Sequence, residues 1–338
     1  MKIPYIVNQD AIPMVTHVEQ DGIKHYIGEV RVFDRHPELR TFLERGHPPG
    51  LSFATLKNGE EHHPHTHEVD SMVIVMLGAA TLTGTEEKTV REGDVICIPQ
   101  GVPHGFRCDL GVDLIALSIQ HSAKPLFEDT LQANIRFVSN ANHFKDKLLA
   151  LNTQRCDAML ASPFFTLLKT GALSSPDKLA HFYKHLRMWS DKFQRILFMR
   201  QATVADGRFE QVFKQHLFEE IGHNDMLPTS DEWDAVVDTC GDWFVMKMLV
   251  LDNREKLAVV QLVLEKCGDL YHSMAKSALK IDDDYIDTHA KHDHSHAELG
   301  MELFDGIDET TYSQLARLCS QSWDVLEMML NRIAALAK

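Results

Sequence analysis

The hydrophobic pattern of this chain changes character once along its length. From Val30 to about Gln120, short apolar runs (72–77, 95–98, 114–119) are punctuated by Gly59, Gly78, Gly84, Gly93 and Gly111. That pattern predicts antiparallel strands closed into a barrel or sandwich. From about Phe144 onward turn residues become sparse and apolar positions recur three and four apart. Segments 178–200, 211–221, 233–251, 257–278 and 312–337 are therefore predicted as helices of a bundle. The stretch 124–143 has no clear period and reads as a linker, which places domains at 1–123 and 144–338. Two domains also suit the length, since 338 residues exceed what one core usually supports.

Composition narrows the partners. A net charge of −15 repels a phosphate backbone, and no basic stretch interleaved with aromatics offsets it, so nucleic acid is not expected as a partner. No apolar run approaches the ~20 residues of a membrane span, and the first residues lack a secretory pattern. The expectation is a cytoplasmic protein with no membrane partner. Six cysteines without CxxC spacing fit reduced thiols. The 20 histidines matter more, because they cluster at 61–67 and 289–296.

In the first half, His65-Thr66-His67 precedes an apolar strand, and strand alternation would put both imidazoles on one face. Some 30 residues later a strand is followed by Pro99-Gln100-Gly101-Val102-Pro103-His104, a turn that delivers a third histidine. His62 and His63 are expected to be solvated. In the second half, His289, Asp293 and His296 are four and three residues apart and share one face of a helix. His216, Glu220 and His223 repeat that spacing. Two histidine-carboxylate faces on separate helices are what a dinuclear site in a bundle core needs.

The first set of residues resembles the cupin family, whose two motifs carry His65, His67, Gly78 and His104 in register. The family's glutamate position is Ser71 here, with Asp70 one residue earlier and expected on the opposite face. The resemblance thus implies a metal site of His65, His67 and His104 with open positions, holding one divalent metal (Fe, Ni, Mn or Zn).

The run 162–174, Ser-Pro-Phe-Phe-Thr-Leu-Leu-Lys-Thr-Gly-Ala-Leu-Ser, resembles the opening of the haem-oxygenase-like helical proteins. That group includes thiaminase-like and pyrroloquinoline-quinone-synthase-like enzymes, and one branch comprises non-haem di-iron oxidases. His289, Asp293 and His296 match that branch's late His-x-x-x-Asp-x-x-His element, and Glu220 and His223 fall at its earlier glutamate and histidine. Glu265 is the choice for its remaining carboxylate, with Glu255 as fallback. The resemblance implies a multidomain chain, an all-β cupin barrel (double-stranded β-helix) followed by an all-α haem-oxygenase-like bundle. It implies two irons in the helical domain and an oxygenase acting with dioxygen on an amino acid or another small amine or acid. The alternative is a metal-binding cupin sensor whose helical domain is structural. A homodimer through the cupin sheet or a bundle face is an expectation under either reading.

Overall fold

A computed structural model describes residues 7–20, 22–43, 49–67, 69–108, 112–120, 136–138, 141–173, 175–279 and 283–338. The side chains of residues 9, 20, 42–43, 136–138 and 291–294 lie outside that description. The chain divides into two units, Met1–Asn140 and Ala141–Lys338.

The first unit is built of antiparallel strands: β1 (Met14–Gln20), β2 (Ile23–Val32), β3 (Gly50–Leu56), β4 (Glu61–His65), β5 (Ser71–Leu77), β6 (Ala79–Gly84), β7 (Lys88–Arg91), β8 (Val95–Ile98), β9 (His104–Arg107), β10 (Leu114–Gln120) and β11 (Arg136–Val138). One sheet runs β11-β1-β2-β3-β10-β5-β8, and a second runs β4-β9-β6-β7. Alternation along β5 buries Ser71, Val73 and Val75, and these pack with Leu56, Leu114, Ala116 and Ile98 of the same sheet. Ala80, Val90 and Phe106 of the second sheet close the same core. At the β5–β6 turn Gly78 has φ +84°, and a Cβ there would lie 1.7 Å from the Asp113 carbonyl oxygen, so no side chain fits. Within the expected linker 124–143, β11 pairs with β1. Residues 121–135 of that stretch lie outside the described residues.

The second unit is helical: α2 (His143–Met159), α3 (Pro163–Lys169), α4 (Pro176–Ala202), α5 (Gly207–Glu220), α6 (Ala235–Val250), α7 (Asn253–Leu257), α8 (Lys266–Leu279), α9 (Asp284–Glu298) and α10 (Glu309–Leu336), with the short α1 (Pro37–Leu43) lying in the first unit. The predicted helix 257–278 is not uniform. Between α7 and α8 the turn widens into a π-helical stretch, Ala258–Glu265, all of it buried. Wide turns of this kind are frequent where a helix serves a site. No helix among the described residues is long and apolar enough to cross a membrane. The six cysteines are free thiols, five of them buried, as the spacing predicts.

Candidate metal centres

In the first unit three imidazoles meet at the end of the barrel cavity. His65 ends β4 and stands directly opposite His104 on β9 in the antiparallel register. His67 lies beyond the strand rather than within it, so strand alternation does not place it. The loop does so instead, with Gly101 N–H donating to the His67 carbonyl at 2.8 Å. His65 Nε2 and His67 Nε2 are 3.1 Å apart. Two nitrogens bound at ~2.0–2.1 Å to one ion sit about that far from each other. The tautomers also fit. His65 Nδ1–H donates to the His63 carbonyl (3.1 Å) and His104 Nδ1–H to the Val102 carbonyl (3.0 Å), leaving each Nε2 lone pair aimed inward.

Burial lowers His65 to about 3, with the neighbouring His104 and His67 adding to it, and lowers His67 to about 4 with help from His104. Burial lowers His104 as well, so all three rings are neutral at ordinary pH, as metal ligation requires. Ser71 is buried in the cavity wall, where it is the register partner of Gln120. Gln120 Nε2 reaches to 3.4 Å from His67 Nε2. Asp70 instead accepts from Gln100 N–H at 2.9 Å and clamps the loop. His63 is exposed, whereas His62 is half-buried and stacks on His65, ring centroids 4.3 Å apart, which departs from the expectation of two solvated rings. The cavity behind the histidines is about 200 Å³ and mostly apolar, walled by Ile27, Val30, Leu56, Val73 and Phe106.

In the second unit the centre of the cluster is Glu220, the last residue of α5 and 2% exposed. Its Oε1 lies 3.1 Å from His296 Nδ1, while Oε2 lies 3.2 Å from His223 Nδ1 and 3.8 Å from His289 Nε2. Gly222 (φ +86°) ends the helix, so His223 is not on the α5 face with His216 and Glu220. It comes back to Glu220 from the following turn. Gln194 holds that bend, donating to the Glu220 carbonyl and accepting from Gly222 N–H. Glu265, at the end of the π stretch, places Oε2 3.7 Å from His296 Nδ1 and Oε1 2.9 Å from His216 Nε2. The fallback Glu255 is occupied elsewhere, in a capping box with Asp252 at the start of α7. The Asp293 side chain lies outside the described residues.

His289 Nδ1–H donates to the Tyr285 carbonyl (2.8 Å) and His296 Nε2–H to Glu219 Oε2 (3.0 Å), so in each ring the other nitrogen faces Glu220. Burial alone would push the Glu220 carboxyl up, but the imidazoles of His223, His296 and His289 drawn up against it hold it well below the usual carboxylate range. A small cavity opens beside it, walled by Trp189, Phe193, Leu264, His272 and Tyr285. Three clusters among the described residues could hold an ion: His65/His67/His104, His216/Glu220/His296 and Glu220/His223/His289. Sequence reasoning missed Glu219, Gln194 and His272. Each acts through a fold-dependent contact for which no local motif exists.

The cupin-domain family model matches residues 52–119, the segment that carries His65, His67 and His104. That segment is a cupin domain. An uncharacterized protein of Rickettsia prowazekii (strain Madrid E) is 29% identical over 160 residues, covering 45% of this chain and 78% of that protein. Among solved structures, a conserved protein of unknown function from Streptococcus pyogenes is 24% identical, covering 28% of this chain and 74% of its own, with a TM-score of 0.22. The polyketide cyclase RemF from Streptomyces resistomycificus is 18% identical, covering 43% of this chain and 94% of its own, with a TM-score of 0.30.

Proposed function

We infer that this protein is a metal-dependent oxygenase whose helical unit holds two iron ions, with a third divalent metal in the cupin. The observation that carries the reading is Glu220, whose two oxygens each face a different set of imidazole nitrogens at distances suited to ions held side by side. The donor set fits iron. Carboxylates and neutral imidazoles together suit Fe(II), and a carboxylate shared by two metals tolerates changes in their charge. Buried Glu220 Oε1 has no aligned hydrogen bond among the described residues, as expected of an atom reserved for a ligand.

His223, His289 and Glu220 would hold one ion, and Glu220, Glu265 and His296 the other, with Asp293 assigned to this set by the family resemblance. Such a pair, when bound, would supply electrons to activate dioxygen for attack on an amine or a C–H bond. The chain's own part is to shape the site. Trp189, Phe193, Leu264 and Tyr285 would present the apolar part of the wall to a small substrate beside the polar cluster. Tyr285 and Glu219 accept protons from His289 and His296 in hydrogen bonds, which keeps the inward nitrogens as lone pairs.

In the cupin, His65, His67 and His104 would leave open positions on one metal, facing an apolar cavity large enough for a second small molecule. The resemblance to haem-oxygenase-like oxidases supports an amino acid or other small amine or acid as substrate of the helical site.

The test is a metal count on full-length protein purified without oxygen and reconstituted with Fe(II). Three ions per chain are expected, with substrate-dependent oxygen uptake. One ion per chain, lost on His104→Ala, would overturn the reading in favour of a metal-binding cupin sensor with a structural helical unit.

A further inference from the structure

His216 has the spacing of a metal ligand and lies at the heart of the helical cluster, fully buried. Its ring hydrogen bonds are nevertheless inverted relative to the other histidines. His65, His104 and His289 each give an Nδ1 proton to a backbone carbonyl, and His296 gives its Nε2 proton to a carboxylate. In all four the remaining nitrogen is a lone pair aimed at the cluster. At His216 two donors converge on Nδ1 instead. Arg200 on α4, also fully buried, places a guanidinium N–H 2.7 Å from it, and the Gln261 amide nitrogen from the π stretch lies 3.1 Å away.

A guanidinium has only donors, so the nitrogen facing it must be the acceptor. The amide orientation of Gln261 is set by the same cation, since Arg200 also donates to Gln261 Oε1 at 2.8 Å. The Phe213 ring face packs on the guanidinium at 4.3 Å and holds it in place. Burial lowers Arg200 only to about 9, so it stays a cation at neutral pH. With Nδ1 committed as acceptor, the neutral ring carries its proton on Nε2. That nitrogen points into the cluster, 2.9 Å from Glu265 Oε1, with its N–H beside that oxygen rather than aligned on it.

We propose that Arg200 and Gln261 lock His216 in the tautomer that turns an Nε2–H into the cluster beside Glu265, making it a positioning residue for that carboxylate rather than a metal ligand. The inference rests on the dinuclear reading of the site. It removes one nitrogen from the cluster His216/Glu220/His296 and leaves that ion's shell to Glu220, Glu265 and His296, with Asp293 assigned to it by resemblance. It also gives a reason for a buried arginine behind a metal site. Its charge offsets the excess negative charge of Glu220 and Glu265 and reaches Glu265 through the imidazole.

Ring-nitrogen NMR of full-length, 15N-labelled protein tests this, first metal-free and then loaded with zinc to a measured stoichiometry. The His216 signals are identified by their loss in His216→Gln or, if that variant does not fold, by through-space contact with Phe193. His216 is expected to keep a protonated Nε2 and an unprotonated Nδ1 in both states, while His289 Nε2 and His296 Nδ1 move on loading. His216→Gln should retain the wild-type metal count. Arg200→Gln should keep the count but weaken zinc binding by about 10- to 100-fold, the usual range for a group behind a ligand. A proton on His216 Nδ1, loss of its Nε2 proton on loading, or one ion fewer in His216→Gln overturns the proposal. If the helical unit takes up no zinc, the dinuclear reading fails, while the metal-free spectrum still decides the His216 tautomer.

Discussion

The two units gather histidines around a point with opposite electrostatics. In the barrel, three neutral imidazoles converge where the sequence has Ser71 at the carboxylate position, and the cavity behind them is apolar. In the helical unit, two buried carboxylates sit among four imidazoles with a buried cation behind. A divalent ion bound in the barrel would keep its full charge, which suits polarising a bound molecule. Ions bound in the helical unit would be largely neutralised by Glu220 and Glu265, as the proposed oxygenase chemistry requires of metals that change oxidation state. Burial has therefore been made tolerable in two ways, by removing charge in one unit and by balancing it in the other.

The sharpest way to break this contrast is Glu220→Ala. It should abolish both helical ions while the barrel keeps its one, so the count falls from three to one; loss of a single ion would mean that Glu220 does not serve two. His104→Ala should do the reverse, weakening the barrel metal by more than about 100-fold and sparing the helical pair. Isothermal titration of each variant with zinc would show it, and equal losses at both sites would dissolve the comparison. Gly78→Ala should cost about 3 kcal/mol in the barrel alone, because φ +84° and the Asp113 carbonyl leave no room for a methyl. Hydrogen exchange resolved by mass spectrometry would place the loss, and a cost shared by the helical peptides would contradict it.

Acid should separate the units in metal-free protein. His65 and His67 titrate at about 3 and about 4 when folded, below the ~6.5 of a free imidazole, so between those values the unfolded chain binds protons that the folded barrel refuses. Barrel stability should therefore fall as pH drops from about 6.5 to about 3. Glu220 is shifted down as well, but as an acid. Its contribution is fully present above ~4.5 and is lost only as pH falls through its depressed folded value. Exchange protection should thus fail in the barrel first, and simultaneous loss would count against this account. The smallest effect is expected from Ser71→Glu, which restores a carboxylate beside His67 and should tighten the barrel metal by roughly 10-fold. An unchanged affinity would show that Gln120 or the wall keeps the new side chain away from the ion.

Much of the barrel site was legible because its ligands are local. His65 and His67 are two residues apart, and the turn through Pro99 and Gly101 that delivers His104 has its own composition. Even so, His67 is placed by a loop hydrogen bond rather than by strand alternation. The helices of the second unit were legible from apolar spacing, since each buries one stripe. What spacing misjudged is orientation. His216, Glu220 and His223 look like one helical face, yet Gly222 turns the chain before His223, and His216 turns its lone pair away from the cluster.

The sequence by itself determined the change from strand to helix, the three barrel histidines and the residues available for a helical metal site, because periodicity and short motifs act within a few residues. Only the tertiary structure decided that Glu220 faces two sets of imidazoles, that Glu265 rather than Glu255 joins them, and which nitrogen of each ring faces the cluster. Those facts depend on partners such as Arg200 and Gln261, 61 residues apart and on different elements. Ring tautomers are set by whichever donor or acceptor packing brings alongside.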